Sequence, residues 1–241
     1  MPVYCITGTN RGLGLEMVRQ LAQSSDNTII AGVRSLATTD LSDLRAAASP
    51  STHIVECDTG NPGSIRGFAK AARLALGEGG QIDYLINNAA VNLASHQSSL
   101  GLGPDELQTQ VAVNVLGPAK TVELLLDAGL LAPGVRVLNL TSGLASLQLT
   151  AQSPARKCAG YSISKAALNM LTLHQAADLR DRLPGAVVAL VDPGWVKTRM
   201  GGEGAVMEPR DSVAAVLGVL HGLRPEDSGN FFHYSGDKVP W

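Results

Sequence analysis

Seven short runs of this chain are apolar along most of their length rather than at every second residue: 2–7, 28–33, 53–57, 82–87, 135–140, 186–191 and 230–234. A strand with one wet face alternates polar and apolar; a strand that is apolar throughout must be covered on both faces. Between these runs the pattern turns helical. Leu15, Val18, Leu21 and Ala22 recur at helical spacing, and the clearest helical stretches are 105–128 and 161–182. Strands alternating with helices, both faces covered, predict an α/β fold: a parallel sheet with helices packed on each side. Right-handed crossovers make it doubly wound. No repeat, charge block or low-complexity linker interrupts the 241 residues, so one domain is expected over 1–241. Ligands of such sheets bind beyond the carboxyl ends of the strands, and that is where chemistry is sought.

Aromatic residues make up only 4% of the chain, so the core must come from Ala, Val, Leu and Ile. Basic and acidic residues nearly balance, 19 against 21, which gives a net charge of −2. No single-sign field results, and nucleic acid and anionic membrane are disfavoured as partners. Cys5, Cys57 and Cys158 are scattered, with no CxxC spacing, so reduced thiols are expected and neither a disulfide framework nor a metal site. The start lacks a basic segment followed by an apolar one, and no run has the length of a membrane span. A cytoplasmic location is the expectation. The triplet Asn139-Leu140-Thr141 matches a glycosylation sequon but falls inside a strand, where it reads as chance.

The first strand runs into Thr7-Gly8-Thr9-Asn10-Arg11-Gly12-Leu13-Gly14. Glycines there let the backbone turn tightly and approach a pyrophosphate. The helix that follows aims free N–H groups and a positive dipole end at that charge. A strand before the turn and an amphipathic helix after it give the pattern its weight. An acidic residue after the second strand would hold the ribose 2′-hydroxyl of NAD, but that strand ends Ala31-Gly32-Val33-Arg34-Ser35, and the first acid beyond it is Asp40. Arg34 stands where a 2′-phosphate would lie, and Arg11 can approach from the turn. Two guanidiniums suit a phosphate dianion, which favours NADP(H). Asp58-Thr59 and Asn87-Asn88-Ala89-Ala90 follow strands three and four. The carboxylate can accept from an adenine amino group. The small residues can lie against a ribose while an Asn amide ties neighbouring strands. Both segments also read as ordinary turn chemistry.

Tyr161-Ser162-Ile163-Ser164-Lys165 opens a helix, so Tyr161 and Lys165 share a face. An ammonium beside a phenol favours phenolate, and this sequence therefore predicts a Tyr161 pKa below its free value. Such a Tyr exchanges a proton with a substrate oxygen. Ser142, after strand five, can hydrogen-bond the same oxygen. Asn114 lies in an apolar helical stretch and needs partners; it can hold a water that links Lys165 to solvent.

Taken together, these residues resemble the short-chain dehydrogenase/reductase family along nearly the whole chain. Its TGxxxGxG turn matches Thr7 to Gly14, its strand-three Asp matches Asp58, and its NNAG motif matches Asn87 to Ala90. Its catalytic Asn, Ser, Tyr and Lys match Asn114, Ser142, Tyr161 and Lys165, and its PG motif matches Pro193-Gly194. Asn10-Arg11-Gly12-Leu13-Gly14 and the carboxyl-terminal Phe231-Phe232…Pro240-Trp241 are similar to the sniffer, C-factor and carbonyl-reductase-like branch.

The resemblance implies a Rossmann-type sheet of seven parallel strands in the order 3-2-1-4-5-6-7. It implies that Lys165 also bonds the nicotinamide ribose, and that the backbone from Pro193 through Gly194 and Val196, with Thr198 nearby, meets the nicotinamide carboxamide. The bound partner it implies is a small carbonyl or alcohol. It also implies a homodimer or homotetramer through the two long helices, although some relatives are monomers.

Two features depart from the family pattern. Ala90 replaces the last Gly of NNAG, and the gap from Ser142 to Tyr161 is longer than the family's commoner spacing. The extra residues are read as an extended loop at 147–160, beside the substrate. Segment 195–209 is Gly-rich and is read as a substrate loop, a lid or simply a mobile connection, with Trp195, Met200 and Met207 as apolar wall. The expected reaction is NADPH-dependent reduction of an apolar or aromatic ketone or aldehyde. Alcohol oxidation and NADP(H) binding for signalling without turnover remain as alternatives.

Overall fold

The structure is a computed structural model in which residues 1–153 and 158–241 are described. Strands β1 (Val3–Thr7), β2 (Thr28–Val33), β3 (Thr52–Glu56), β4 (Ile82–Asn87), β5 (Leu131–Leu140), β6 (Val187–Asp192) and β7 (Phe231–His233) form one sheet. Its order is β3-β2-β1-β4-β5-β6-β7, with every pairing parallel. The chain winds outward from β1 in one direction, then returns and winds from β4 in the other, which leaves a crevice at the β1–β4 reversal.

The continuous apolarity of the strands has a direct structural cause. Tyr4, Ile6, Ile29, Ala31, Val187 and Ala189 point into one core, shared with α1 (Gly12–Leu21), α2 (Ser42–Ala47) and α8 (Pro209–Gly222). Their chain neighbours Cys5, Ile30 and Val188 point into the opposite core, shared with α3 (Pro62–Leu76), α5 (Gly117–Asp127) and α7 (Ala159–Arg182). Each aliphatic side chain buried this way contributes about 1.5–3 kcal/mol. Cys5 and Cys57 are buried and all three cysteines are free thiols. Asn139 of the sequon-like triplet is fully buried.

The helix expected over 105–128 is interrupted. It consists of α4 (Pro104–Val111), a π turn (Ala112–Leu116) and α5. Pro118 near the start of α5 has no N–H to continue an α-helical ladder, and the wider turn absorbs the break. Strand β5 starts earlier than its apolar run, at Leu131, and its register against β4 shifts between Ile82 and Tyr84. Of the extended loop read at 147–160, Leu147–Gln152 is a helix, α6, because Ser146 caps it: its Oγ accepts from Leu149 N at 3.1 Å. Residues 154–157 of that loop lie outside the described residues. Among the described residues no helix is long and apolar enough to cross a membrane, and no group of His, Cys, Asp and Glu could hold a metal ion.

Candidate active site

The turn after β1 is shaped by close backbone approach. Gly8 has φ +73° and Gly12 has φ +58°. A Cβ on Gly8 would lie 2.9 Å from Ala89 Cα, and one on Gly14 would strike the Gly8 carbonyl oxygen. Asn88 holds the turn from the neighbouring strand end: its Nδ2 donates to Thr7 O at 2.8 Å and to Gly8 O at 2.9 Å. Thr7 Oγ1 accepts from the backbone N–H groups of Asn88 and Ala89. Helix α1 therefore starts at the sheet reversal with Arg11 as an extended N-cap, no side-chain cap and no acid in its first turn.

Its leading N–H groups are free for an anion. Arg11 and Arg34 are both exposed, and among the described residues neither forms an ion pair. This cradle and its two guanidiniums fit a dinucleotide carrying a 2′-phosphate. Asn10 and Leu13 are half-buried along the same turn. Asp58 is half-buried and its Oδ1 accepts from Gly60 N at 3.0 Å, while Thr59 is buried where Gly117 lets α5 come close.

The loop after β6 meets this turn. A Cβ on Gly12 would lie 3.6 Å from Thr198 Cγ2. Gly194 has φ +81°, and a Cβ there would lie 2.7 Å from the Tyr234 ring. Ser212 Oγ donates to Pro193 O at 2.7 Å. The Gly-rich segment 195–209 folds back on itself. Lys197 N donates to Met207 O at 2.9 Å, Trp195 Nε1 to Gly201 O at 2.8 Å, and Gly201 N to the Thr198 hydroxyl at 3.1 Å. Val196 is buried and bridges Met207.

Helix α7 carries the reacting groups. Lys165 is buried, its Nζ lies 5.7 Å from the centre of the Tyr161 ring, and it donates to Leu140 O, the end of β5, at 2.6 Å. Asn114 sits in the π turn with its carboxamide committed. Nδ2 donates to Val91 O at 2.9 Å and to Ser164 Oγ at 3.0 Å, and Oδ1 accepts from Val91 N at 2.9 Å. One acceptor position on Oδ1 remains for a water. Ser164 passes the contact on: its Oγ donates to the Tyr161 carbonyl at 2.7 Å. Ser142 is half-buried at the tip of β5, where its Oγ accepts from Leu144 N at 3.2 Å.

The electrostatics differ from the sequence expectation. The phenol of Tyr161 is raised, not lowered, by burial first and then by the proximity of Asp192 and Cys158. Burial also pulls Lys165 down to about 7, so at neutral pH its charge is only partly present. Both groups lose water together, and desolvation outweighs their attraction. Tyr161 in this state is a proton donor.

Two residues here were missed in the sequence. Ser164, between Tyr161 and Lys165, carried no signal of its own in the sequence. Asp192 ends β6 immediately before Pro193-Gly194, and a carboxylate at a strand tip was the available signal.

The fold and this site define a dinucleotide-binding oxidoreductase. The short chain dehydrogenase family matches residues 2–208, and the chain belongs to that family. It is 39% identical over 163 residues to C-signal of Myxococcus xanthus, covering 67% of this chain and 94% of that protein. The structure is similar to the NADPH-bound carbonyl reductase from chicken fatty liver, with a TM-score of 0.90, 29% identity and full coverage of both chains. It shares its fold with the carbonyl reductase Sniffer of D. melanogaster, at a TM-score of 0.87, 24% identity and full coverage of both chains. These place the chain in the sniffer, C-factor and carbonyl-reductase-like branch.

Proposed function

We propose that this protein reduces an apolar or aromatic ketone or aldehyde to the alcohol with NADPH. The observation that carries the reading is a half-buried Tyr161, its phenol raised above the ordinary value, beside the buried Lys165 on α7, the helix packed along the β5 side of the dinucleotide crevice. Arg11, Arg34, the Gly8–Gly14 turn, Asp58 and the Pro193–Thr198 segment would hold NADP(H). When bound, NADPH supplies the hydride. Tyr161 donates the phenolic proton to the substrate oxygen as charge develops there. Ser142 donates its hydroxyl to the same oxygen and stabilises that charge. Lys165, anchored on Leu140 O, returns a proton toward the phenol, with Asn114 Oδ1 placed to hold the connecting water.

The substrate class follows from the surroundings. Leu144, Leu147 and Leu149 beyond Ser142, and Trp195, Met200 and Val206 in the 195–209 loop, are exposed apolar side chains. Lys197 in that loop is paired with Glu208 at 2.6 Å, which offsets its charge. Ile163, Met170 and Leu173 are exposed apolar side chains on α7 and support self-association through that helix.

The test is oxidation of NADPH and of NADH across aliphatic, aromatic and polycyclic carbonyls. Turnover with aromatic or apolar carbonyls and preference for NADPH are expected. Cofactor binding seen by fluorescence, with no oxidation across the panel, would instead indicate the signalling alternative.

A further inference from the structure

Ser142 and Tyr161 have to meet on one substrate oxygen, yet the chain between them is long. It runs through a 3-10 turn (Gly143–Ala145), then α6, then residues 154–157, which lie outside the described residues, before α7 begins. A connection of that length sets no fixed distance between its ends. The spacing has to be set across space, between α7 and the tip of β5.

Tyr161, Lys165 and Asn169 follow one another along α7 at i, i+4 spacing. Lys165 and Asn169 grip successive residues at the β5 tip. Lys165 Nζ donates to Leu140 O at 2.6 Å, and Thr141 Oγ1 donates to Asn169 Oδ1 at 2.7 Å. Leu140 is the last residue of β5, and Thr141 N still donates to Val191 O of β6 at 2.9 Å. Thr141 is therefore tied by its backbone to the sheet and by its hydroxyl to α7, and Ser142 is the next residue. The pair is closed to solvent: Thr141 is 2% exposed and Asn169 4%. Asn169 Nδ2 is buried and has no hydrogen-bond partner among the described residues. A buried donor left unpaired costs stability, which a leucine of similar size would avoid. What the carboxamide supplies is the oxygen that takes the Thr141 hydroxyl.

We propose that Thr141 and Asn169 are positioning residues: their hydrogen bond fixes the Ser142 hydroxyl relative to Tyr161, so that both reach the same substrate oxygen. The inference rests on the roles given above to Ser142 and Tyr161. The bond acts on orientation, so its loss lowers kcat and leaves NADPH affinity in place; a displacement of about 1 Å at a reacting group costs up to about 10²-fold.

The experiment is steady-state NADPH oxidation by the full chain, with the carbonyl of the panel that has the highest kcat/KM. NADPH affinity by fluorescence and the unfolding midpoint are measured in parallel. Thr141→Val removes the hydroxyl at nearly unchanged volume. It should lower kcat by about tenfold or more and keep NADPH affinity within about twofold. Thr141→Ser, which keeps the hydroxyl, should hold most of the turnover. Asn169→Leu should repeat the loss, and the double variant should lose no more than either single one, since both remove the same bond. If Asn169→Leu does not fold, Thr141→Val carries the test. The decisive comparison is made in Ser142→Ala, where adding Thr141→Val should change kcat by less than about twofold. A full loss that persists in the Ser142→Ala background, or an unchanged kcat in Thr141→Val alone, overturns the proposal. Full turnover in Ser142→Ala by itself overturns the catalytic reading of Ser142 and the proposal with it, and is told apart because Thr141 and Asn169 are intact in that variant.

Discussion

At the residue scale, desolvation decides the chemistry. A phenol and an ammonium in water would pull each other toward phenolate and ammonium. In this cleft both lose their hydration, and each moves toward its neutral form. A neutral phenol is the species a reductase needs at the moment the substrate oxygen gains charge. Arg34 poses a second residue-scale test. It is exposed at the end of β2 and forms no ion pair among the described residues, and its contribution is a charged, directional contact to a 2′-phosphate. Arg34→Ala should raise the KM for NADPH by about tenfold or more, and leave that for NADH within about twofold. Steady-state kinetics with both cofactors check it; an equal loss for the two would assign Arg34 to the exposed loop alone. Arg34 was legible in the sequence because an absent acid is visible there. The raised phenol was not, because the sequence shows neither the desolvation of its hydroxyl nor the approach of Asp192 from β6.

At the element scale, the strand tips are held to one another by side-chain amides rather than by backbone alone. Asn88 ties the β4 tip to the β1 turn, and Asn114 ties the π turn to Val91 and, through Ser164, to Tyr161. Farther down, Asn87 donates to Asn139, and Asn139 donates to Thr172 and Gln175 of α7. These bonds fix α7 against the sheet, and with it Tyr161 and Lys165. The geometry at Gly8 is equally strict. Gly8→Ala forces a side chain into φ +73° and against the Ala89 backbone. It should destabilise the chain by about 1–3 kcal/mol and abolish saturable NADPH binding; chemical denaturation and fluorescence titration read the two effects. Full-strength binding by the variant would show that the close approach is dispensable.

Most elements were legible from apolar runs and helical spacing. The π turn was not, since Pro118 signals a break but not its form. Helix α6 was hidden because its six residues, Leu147–Gln152, are too short for a periodic pattern. The polar buried face of α7, with Ser164, Lys165, Asn169, Thr172 and Gln175, blurred the boundary between core and surface.

At the scale of the whole molecule, stability should record the buried titratable groups. Lys165 has a folded-state value of about 7 against its ordinary 10.5, so between these pH values the unfolded chain binds the extra proton. Stability therefore rises with pH through that window. Cys57 runs the other way: its thiol is pushed from 9.0 up to about 12 by burial and by Asp58. Cys5 is raised also, by burial and by Cys57. Above pH 9 the unfolded chain loses protons that the folded chain keeps, and stability falls. The denaturation midpoint should climb from neutral pH and turn over on the alkaline side. Lys165→Met should flatten the climb and spare the decline, and a climb that survives in that variant would place its origin elsewhere.

The account as a whole rests on Tyr161 giving a proton to a carbonyl oxygen. The most direct measurement is NADPH oxidation by Tyr161→Phe on the best carbonyl substrate of the panel, with NADPH affinity measured in parallel. The variant should lose about 10²-fold or more in turnover while binding NADPH as the unaltered chain does. A variant that keeps most of its turnover would contradict the account.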